Sequence, residues 1–251
     1  DFLRNKMVDL SKLKYLIVDE ADRMLDMGFI PDVKRIINFT PAPTKRQTML
    51  FSATLSAEIM RFAASWMRKN PSILETEPEN IIADGISEIV YACTSREKLP
   101  ITLWYLKNEE YERALIFRNR RTDVEYLCNL LRRFGIDCDM LSGDVEQKKR
   151  LRLLKDFKSG KIRVIVATDV AGRGIHIDNL THVFNFDLPY EAEDYVHRIG
   201  RTARAGEKGK AISFAGEDCA FVIPEIEEYI GRELPIAIPD DEMLVMPKRG
   251  D

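Results

Sequence analysis

Cysteine and histidine are scarce in this chain. Its 251 residues hold four cysteines (Cys93, Cys128, Cys138, Cys219) and three histidines (His176, His182, His197). No two cysteines stand in C-x-x-C spacing and no two histidines fall at helical spacing. That excludes a zinc site or a disulfide framework of the usual spacing, and it fits a reducing, cytoplasmic compartment. No apolar run approaches the roughly 20 residues of a membrane span, and no secretory signal pattern is present, so a membrane is not among the expected partners. There is no short internal repeat. The phosphate-binding pattern G-x-x-x-x-G-K-[ST] is absent: Gly160-Lys161 and Gly209-Lys210 lack both the preceding glycine and the hydroxyl residue.

What is present describes an ordinary globular chain, 45% apolar and 31% charged. The net charge of −3 hides a partition. Residues 1–95 carry 12 basic and 13 acidic side chains, residues 96–216 carry 23 and 18, and residues 217–251 carry 3 and 10. A basic middle suits phosphate-bearing partners, although most such charge only solvates a surface.

The most informative stretch is Asp19-Glu20-Ala21-Asp22. It follows Tyr15-Leu16-Ile17-Val18, an apolar run that predicts a buried parallel strand. Open α/β sheets bind ligands at the carboxyl ends of their strands. Asp19 there is suited to a Mg²⁺ held on nucleotide phosphates, directly or through water. Glu20 is suited to orient or deprotonate a water. The same acids would also simply favour a helix N-terminus.

Strand and helix patterns then alternate. Helices are predicted over Ala21–Phe29, around Val33–Ile37 and over Ile59–Met67, with a strand at Gln47–Phe51 ending in Ser52-Ala53-Thr54. Those hydroxyls can bond a neighbouring carboxylate or cap the helix that starts near Ser56. The acidic stretch 75–85 reads as a boundary. Beyond it, strands are predicted at Ile86–Cys93, Arg113–Phe117, Cys138–Leu141, Arg163–Ala167, Thr181–Phe186 and Lys210–Phe214. Helices fall at Lys98–Lys107, Asp123–Phe134, Glu146–Phe157, Ala192–Ile199 and Cys219–Ile230. This order predicts α/β architecture with parallel sheets. The expected division is 1–75 for a first lobe, 76–85 for a linker, 86–233 for a second lobe and 234–251 for an acidic, loosely held tail.

Further motifs sit at strand ends of the second lobe. Gly143 lets a backbone approach a ligand closely. Gln147 and Arg150 are one turn apart on the next helix. A Gly-rich run, Thr168-Asp169-Val170-Ala171-Gly172-Arg173-Gly174-Ile175-His176, follows another strand. In His197-Arg198-Ile199-Gly200-Arg201-Thr202-Ala203-Arg204, the spacing of Arg201 and Arg204 predicts two guanidiniums aimed the same way along a helical turn, suited to a transferring phosphoryl group.

In this order and spacing, Asp-Glu-Ala-Asp at 19–22, Ser-Ala-Thr at 52–54, Gln147-x-x-Arg150, Thr168-Asp169 with Ala171-Gly172-Arg173-Gly174, and His197-Arg198-x-Gly200-Arg201-x-x-Arg204 resemble the DEAD-box RNA helicases over almost the whole chain. Within that family, Gly143 to Arg150 and Gly174-Ile175-His176-Ile177 are most similar to the bacterial RhlB type. The resemblance implies two RecA-like parallel-sheet lobes, the first incomplete here and the second complete. It implies ATP with Mg²⁺ in the cleft between them, and single-stranded RNA or a short duplex across both. Asp19 and Glu20 would serve Mg²⁺ and the attacking water. Asp22 would bond Ser52 and Thr54 and sense His197, coupling hydrolysis to RNA. Arg201 and Arg204 would reach the γ-phosphate, and Gly174 and His176 would lie at the nucleotide. Gly143, Gln147, Arg150, Thr168 and Asp169 would follow the RNA, reading shape and the 2′-OH rather than sequence. His176 stands where the family has an Asp that contacts the ribose, which puts that contact in question.

The chain starts at Asp1 without Met, its first residues read as the end of a helix, and the family's phosphate loop precedes this point. The expectation is therefore a piece of a longer ATP-dependent RNA helicase, inactive alone. The alternative, which the resemblance also implies, is that the second lobe serves as a docking module for a ribonuclease or another RNA-processing partner.

Overall fold

The computed structural model describes residues 2–26, 28–76, 82, 85–143, 145–169, 180–203, 208–217, 219 and 221–248. The chain divides into two compact units, Asp1–Glu77 and Pro78–Asp251.

The first unit is built on two parallel strands, β1 (Tyr15–Val18) and β2 (Gln47–Leu50), in register from Tyr15 opposite Gln47 to Val18 opposite Leu50. Helices α1 (Ala21–Asp26), α2 (Ile30–Ile37) and α3 (Ala57–Trp66) bury Val18, Ala21, Ile30, Ile37, Ile59 and Trp66 together. Strand alternation leaves Tyr15 and Ile17 exposed on the other face of β1. The first helix is shorter than its apolar spacing predicts, because α2 begins at Ile30 with Pro31 in its first turn. Proline is tolerated there, since its missing N–H would have no intrahelical partner. Residues 2–6 form turns and not the end of a helix. Buried Arg46 ties the unit together. It donates to the Trp66 carbonyl that ends α3 (3.1 Å), to Thr48 Oγ1 (3.1 Å) and to the Pro41 carbonyl, a favourable use of a cation at a helix C-terminus.

The second unit holds a seven-stranded, all-parallel sheet in the order β5-β6-β4-β7-β8-β3-β9. The strands are β3 (Ile86–Ala92), β4 (Ala114–Phe117), β5 (Cys138–Leu141), β6 (Val164–Ala167), β7 (His182–Asn185), β8 (Gly209–Ala215) and β9 (Ile236–Ala237). The helices are α4 (Lys98–Asn108), α5 (Arg121–Arg133), α6 (Gln147–Lys158), α7 (Ala192–Ile199) and α8 (Val222–Ile230). Both sheet faces are covered, so central strands read as unbroken apolar runs. In β4, Ala114 and Ile116 pack with Ile101, Leu127 and Leu131 of α4 and α5. Leu115 and Phe117 face the other way, onto Leu153 and Phe157 of α6. Further along that face, α7 and α8 bury Tyr195, Ile199, Val222 and Ile226 against Val90 and Ala211. The helix from Arg121 ends where Gly135 takes φ +80°, a left-handed conformation that terminates helices at little cost only with glycine.

The tail is a correction to the expected division. Residues 234–244 are bound into the second unit: Ile236 and Ala237 add β9 beside Val90 and Tyr91 of β3, and Leu234 and Met243 are buried. A two-residue strand carries no readable period, and the proline density of this stretch concealed it. Two cysteines that sequence spacing left apart also meet: the free thiols of Cys128 on α5 and Cys138 on β5 lie 3.3 Å from each other.

Because every strand is parallel, β3 to β8 all end on one edge of the sheet. Arg118, Asn119, Ser142, Gly143, Thr168, Asp169 and Asp187 follow their strands there. β4 and β7 are neighbours whose chains leave in opposite directions, β4 toward β5 and β7 toward β8. That makes a topological switch point, where α/β sheets open a ligand crevice.

Candidate functional site

In the first unit the acids stand at the end of β1. The Asp22 side chain is buried and its carboxylate is fully engaged. Oδ2 accepts from the Thr54 amide (2.9 Å), and Oδ1 from the Arg23 amide (2.9 Å). The Asp22 amide donates to Ser52 Oγ (3.1 Å). Ser52 and Thr54 therefore serve the neighbouring carboxylate, while Ser56 is the residue that caps α3, accepting from the Ile59 amide (3.3 Å). Burial by itself would raise the Asp22 pKa; the donors from Thr54, Arg23 and Ser52 outweigh it and hold it below the ordinary carboxylate value. Asp19 and Glu20 are exposed beside it. Asp19 Oδ1 accepts from the Glu20 amide (3.0 Å), and Glu20 sits at φ +51°. A non-glycine residue in the left-handed region is strained, and such strain clusters at functional sites.

No group of three or more potential ligands that could hold a metal occurs among the described residues. One exposed carboxylate fits a Mg²⁺ that keeps most of its waters and rides on phosphates, not a protein cage. Asp19 is the residue that would hold it.

In the second unit the organising side chain is Arg198, a motif residue that sequence reasoning left without a role. It is 2% exposed. Its Nε and Nη2 grip Asp169 at 2.7 and 2.6 Å. Nη2 also donates to Asn119 Oδ1 (2.8 Å), and Nη1 to the Asp187 carbonyl (2.6 Å) and Asn185 Oδ1 (3.4 Å). All five donors of the guanidinium are thus used, and the plane lies over Phe117. Arg198 binds the ends of β4, β6 and β7 into one piece. Asp169 is engaged with Arg198, which makes it a support for the loop beside Thr168. Asp187 in turn accepts from Arg118 Nε (2.7 Å) and the Asn119 amide (3.1 Å). The signal for Arg198 was available: it falls on the stripe of Ala192, Tyr195 and Ile199, and a cation on an apolar stripe implies a buried partner.

The helix expected to continue through Arg201 stops before it. Helix α7 ends at Ile199 with Gly200 as its C-cap, and Arg201 lies in a turn. Thr202 is drawn away by a bridge to Leu180, whose carbonyl its hydroxyl bonds, and Ala203 takes φ +53°. The one-face argument from i, i+3 spacing needs a continuing helix. A Cβ at Gly209 would overlap the Thr202 hydroxyl, so β8 begins pressed against this turn. His197, on the last turn of α7, has its Nδ1 3.8 Å from Glu193 Oε1. Arg204, Gly174 and His176 lie outside the described residues.

The remaining residues gather on the strand-end edge. β5 and β6 pair, so Gly143 and Thr168 follow adjacent strands, and Gln147 opens α6 with Arg150 one turn on. A Cβ at Gly143 would meet nothing within 4 Å. No described residue crowds that glycine.

Residues 97–206 match the helicase conserved C-terminal domain, and residues 1–62 match the DEAD/DEAH box helicase model. The chain belongs to the DEAD-box helicase family. It is similar to the ATP-dependent RNA helicase RhlB of Pseudomonas putida (48% identity over 97% of this chain and 61% of the relative) and to RhlB of Haemophilus influenzae (44%, over 99% and 60%). The chain thus spans about three fifths of the length of these RhlB relatives. Among solved DEAD-box structures, S. cerevisiae Dbp5 bound to RNA and ADP BeF3 aligns with TM-score 0.83 at 31% identity, over 96% of this chain and 63% of that one. E. coli SrmB bound to regulator of ribonuclease activity A aligns with TM-score 0.58 at 37% identity, over 65% and 96%. The fold is α/β with RecA-like parallel-sheet architecture. No helix among the described residues is long and apolar enough to cross a membrane.

Proposed function

We propose that the protein to which this chain belongs is an RNA-stimulated ATPase that unwinds short RNA duplexes in RNA decay or processing in the cytoplasm. The observation that carries the reading is the Asp22 node. A buried carboxylate locked by Thr54 and Ser52 holds Asp19 and a strained Glu20 at a strand end, an arrangement suited to Mg²⁺-nucleotide chemistry and hard to explain as packing alone. Asp19 holds the Mg²⁺ and Glu20 orients the attacking water. Arg201, with Arg204, supplies positive charge to the phosphoryl group, and Gly174 and His176 belong to the nucleotide. Gly143, Gln147, Arg150 and Thr168 follow the sugar-phosphate path, with Asp169 as their support. His197 is the second unit's reporter on nucleotide state.

The test is RNA-stimulated ATP hydrolysis by this chain, alone and together with the remaining segment of an RhlB relative. The sequence holds no G-x-x-x-x-G-K-[ST], so little turnover is expected alone and restored turnover in the mixture, lost again in Glu20→Gln. Robust turnover alone would overturn the account of the phosphate loop. A DNA loading strand should not stimulate, since it lacks the 2′-OH. A docking role for the second unit is a second reading, favoured by the likeness to SrmB bound to a regulator of ribonuclease activity. Capture of a purified ribonuclease by residues 86–251 without nucleotide would support it.

A further inference from the structure

We propose that the second unit carries a binding site for a phosphate monoester, a nucleotide's terminal phosphate, in the crevice between the ends of β4 and β7. The proposal rests on this unit's geometry and is independent of the helicase reading. A cavity of about 300 Å³ opens there, lined by Lys98, Arg118, Arg120, Asp123, Asp187 and Tyr190 among others. That volume is at the small end for ligand pockets.

Three features converge on an anion. The first is Lys98. It is 3% exposed, yet its ammonium makes no hydrogen bond among the described residues; the nearest carboxylate oxygen, Asp187 Oδ1, is 3.9 Å away. A buried ammonium with unspent donors on a cavity wall is costly unless something fills its coordination. The second is three helix starts on the same wall. Lys98 opens α4, Arg120 precedes α5 and Val222 opens α8; none of the three helices has a side-chain cap. Each start carries roughly half a positive charge and favours phosphate. The third is the charge balance. Asp123 pairs with Arg118 at 3.2 Å, and Asp187 pairs with Arg118 at 2.7 Å and more loosely with Lys98 at 3.9 Å. With Arg120 added, three cations face two carboxylates, so the lining keeps a net positive charge before the helix dipoles are added. A phosphate monoester carries about −1.5 to −2 at pH 7, which such a wall neutralises. At the rim, Tyr190 and Phe221 are 60% and 64% exposed, and exposed aromatics there give a base or ribose a stacking surface. The cavity shares Asn119 and Asp187 with the Arg198 network, so occupancy would stiffen the ends of β4 and β7 together.

The same phosphate chemistry comes from a free mononucleotide or from the 5′ end of a strand. The experiment is an amide NMR titration of the full chain with AMP, adenosine, and a short RNA carrying either a 5′-phosphate or a 5′-hydroxyl. AMP should shift the amides of Lys98, Leu99, Thr122 and Ile223, and adenosine should not. Arg120→Glu, an exposed change that spares the core, should weaken this response at least tenfold, and Lys98→Met should abolish it if that variant folds. A response to the 5′-phosphorylated RNA alone would name strand ends as the source; a response to AMP alone would name free nucleotide. Equal shifts from both RNAs, shifts confined to other residues, or an unchanged response in Arg120→Glu would overturn the proposal.

Discussion

The two edges of the seven-stranded sheet carry similar side chains to opposite ends. At the amino edge, Glu109 accepts from Lys210 (2.6 Å) and pairs with His182 (3.3 Å), which stacks on Phe184. At the carboxyl edge, Arg198 joins Asp169, Asn119, Asn185 and the Asp187 carbonyl. Both clusters satisfy buried polar groups. Among the described residues, the carboxyl edge also lines a cavity, and Lys98 on its wall makes no hydrogen bond. The difference teaches that a polar cluster is not a site until something in it is left for a ligand. Parallel topology decides which edge that is, because every strand delivers its following loop to the same side.

The largest way to break this contrast is Arg198→Ala. It leaves the half-buried Asp169 and Asn119 without their shared partner and should cost about 3–5 kcal/mol, read by urea denaturation; a cost below about 1 kcal/mol would remove Arg198 as the hub of this edge. Next comes Met243→Ala, which empties a core position under α4 and should cost about 2–5 kcal/mol. An unchanged midpoint would restore the view of a loosely held tail. In the first unit, Asp22→Asn weakens the bonds from Thr54 and Arg23 and should cost about 1–3 kcal/mol. The native Asp22 pKa is depressed, so its contribution is present above the unfolded value of 3.8 and lost as pH falls through the folded one. Asp22→Asn should flatten that acid limb.

The smallest effect belongs to the amino edge. Burial lowers the His182 pKa, and Glu109 only partly opposes it. The unfolded chain then takes up the proton first, so stability falls as pH drops below about 6.5. His182→Gln should remove that slope between pH 7.5 and 5.5 while leaving the alkaline plateau. A slope that survives the substitution would assign it to other groups.

Much of the fold was legible in sequence. The runs at Cys138–Leu141 and Ala192–Ile199 matched observed elements end to end, because a short apolar run bounded by polar turns, or a clean 3.6 period, has few alternatives. Other boundaries moved by one to three residues, as at Asp26, where α2 began earlier than its apolar residues suggest. β9 was missed because two residues have no period. The site was legible as residue types: the acids at the end of β1, the hydroxyls at the end of β2, the glycine after β5. The coupling among them was not. Asp169 read as a ligand contact and is held by Arg198, and Arg201 read as part of a helix that stops at Ile199.

The sequence by itself determined the family, the parallel α/β plan and which strand ends carry acids, hydroxyls and glycines, since period and spacing are local properties of the chain. Tertiary structure alone decided that Arg198 is the hub, that Cys128 meets Cys138, that residues 234–244 are bound in, and that three helix starts and Lys98 share one cavity. Each of these depends on distances between residues far apart in the chain, which local periodicity does not encode.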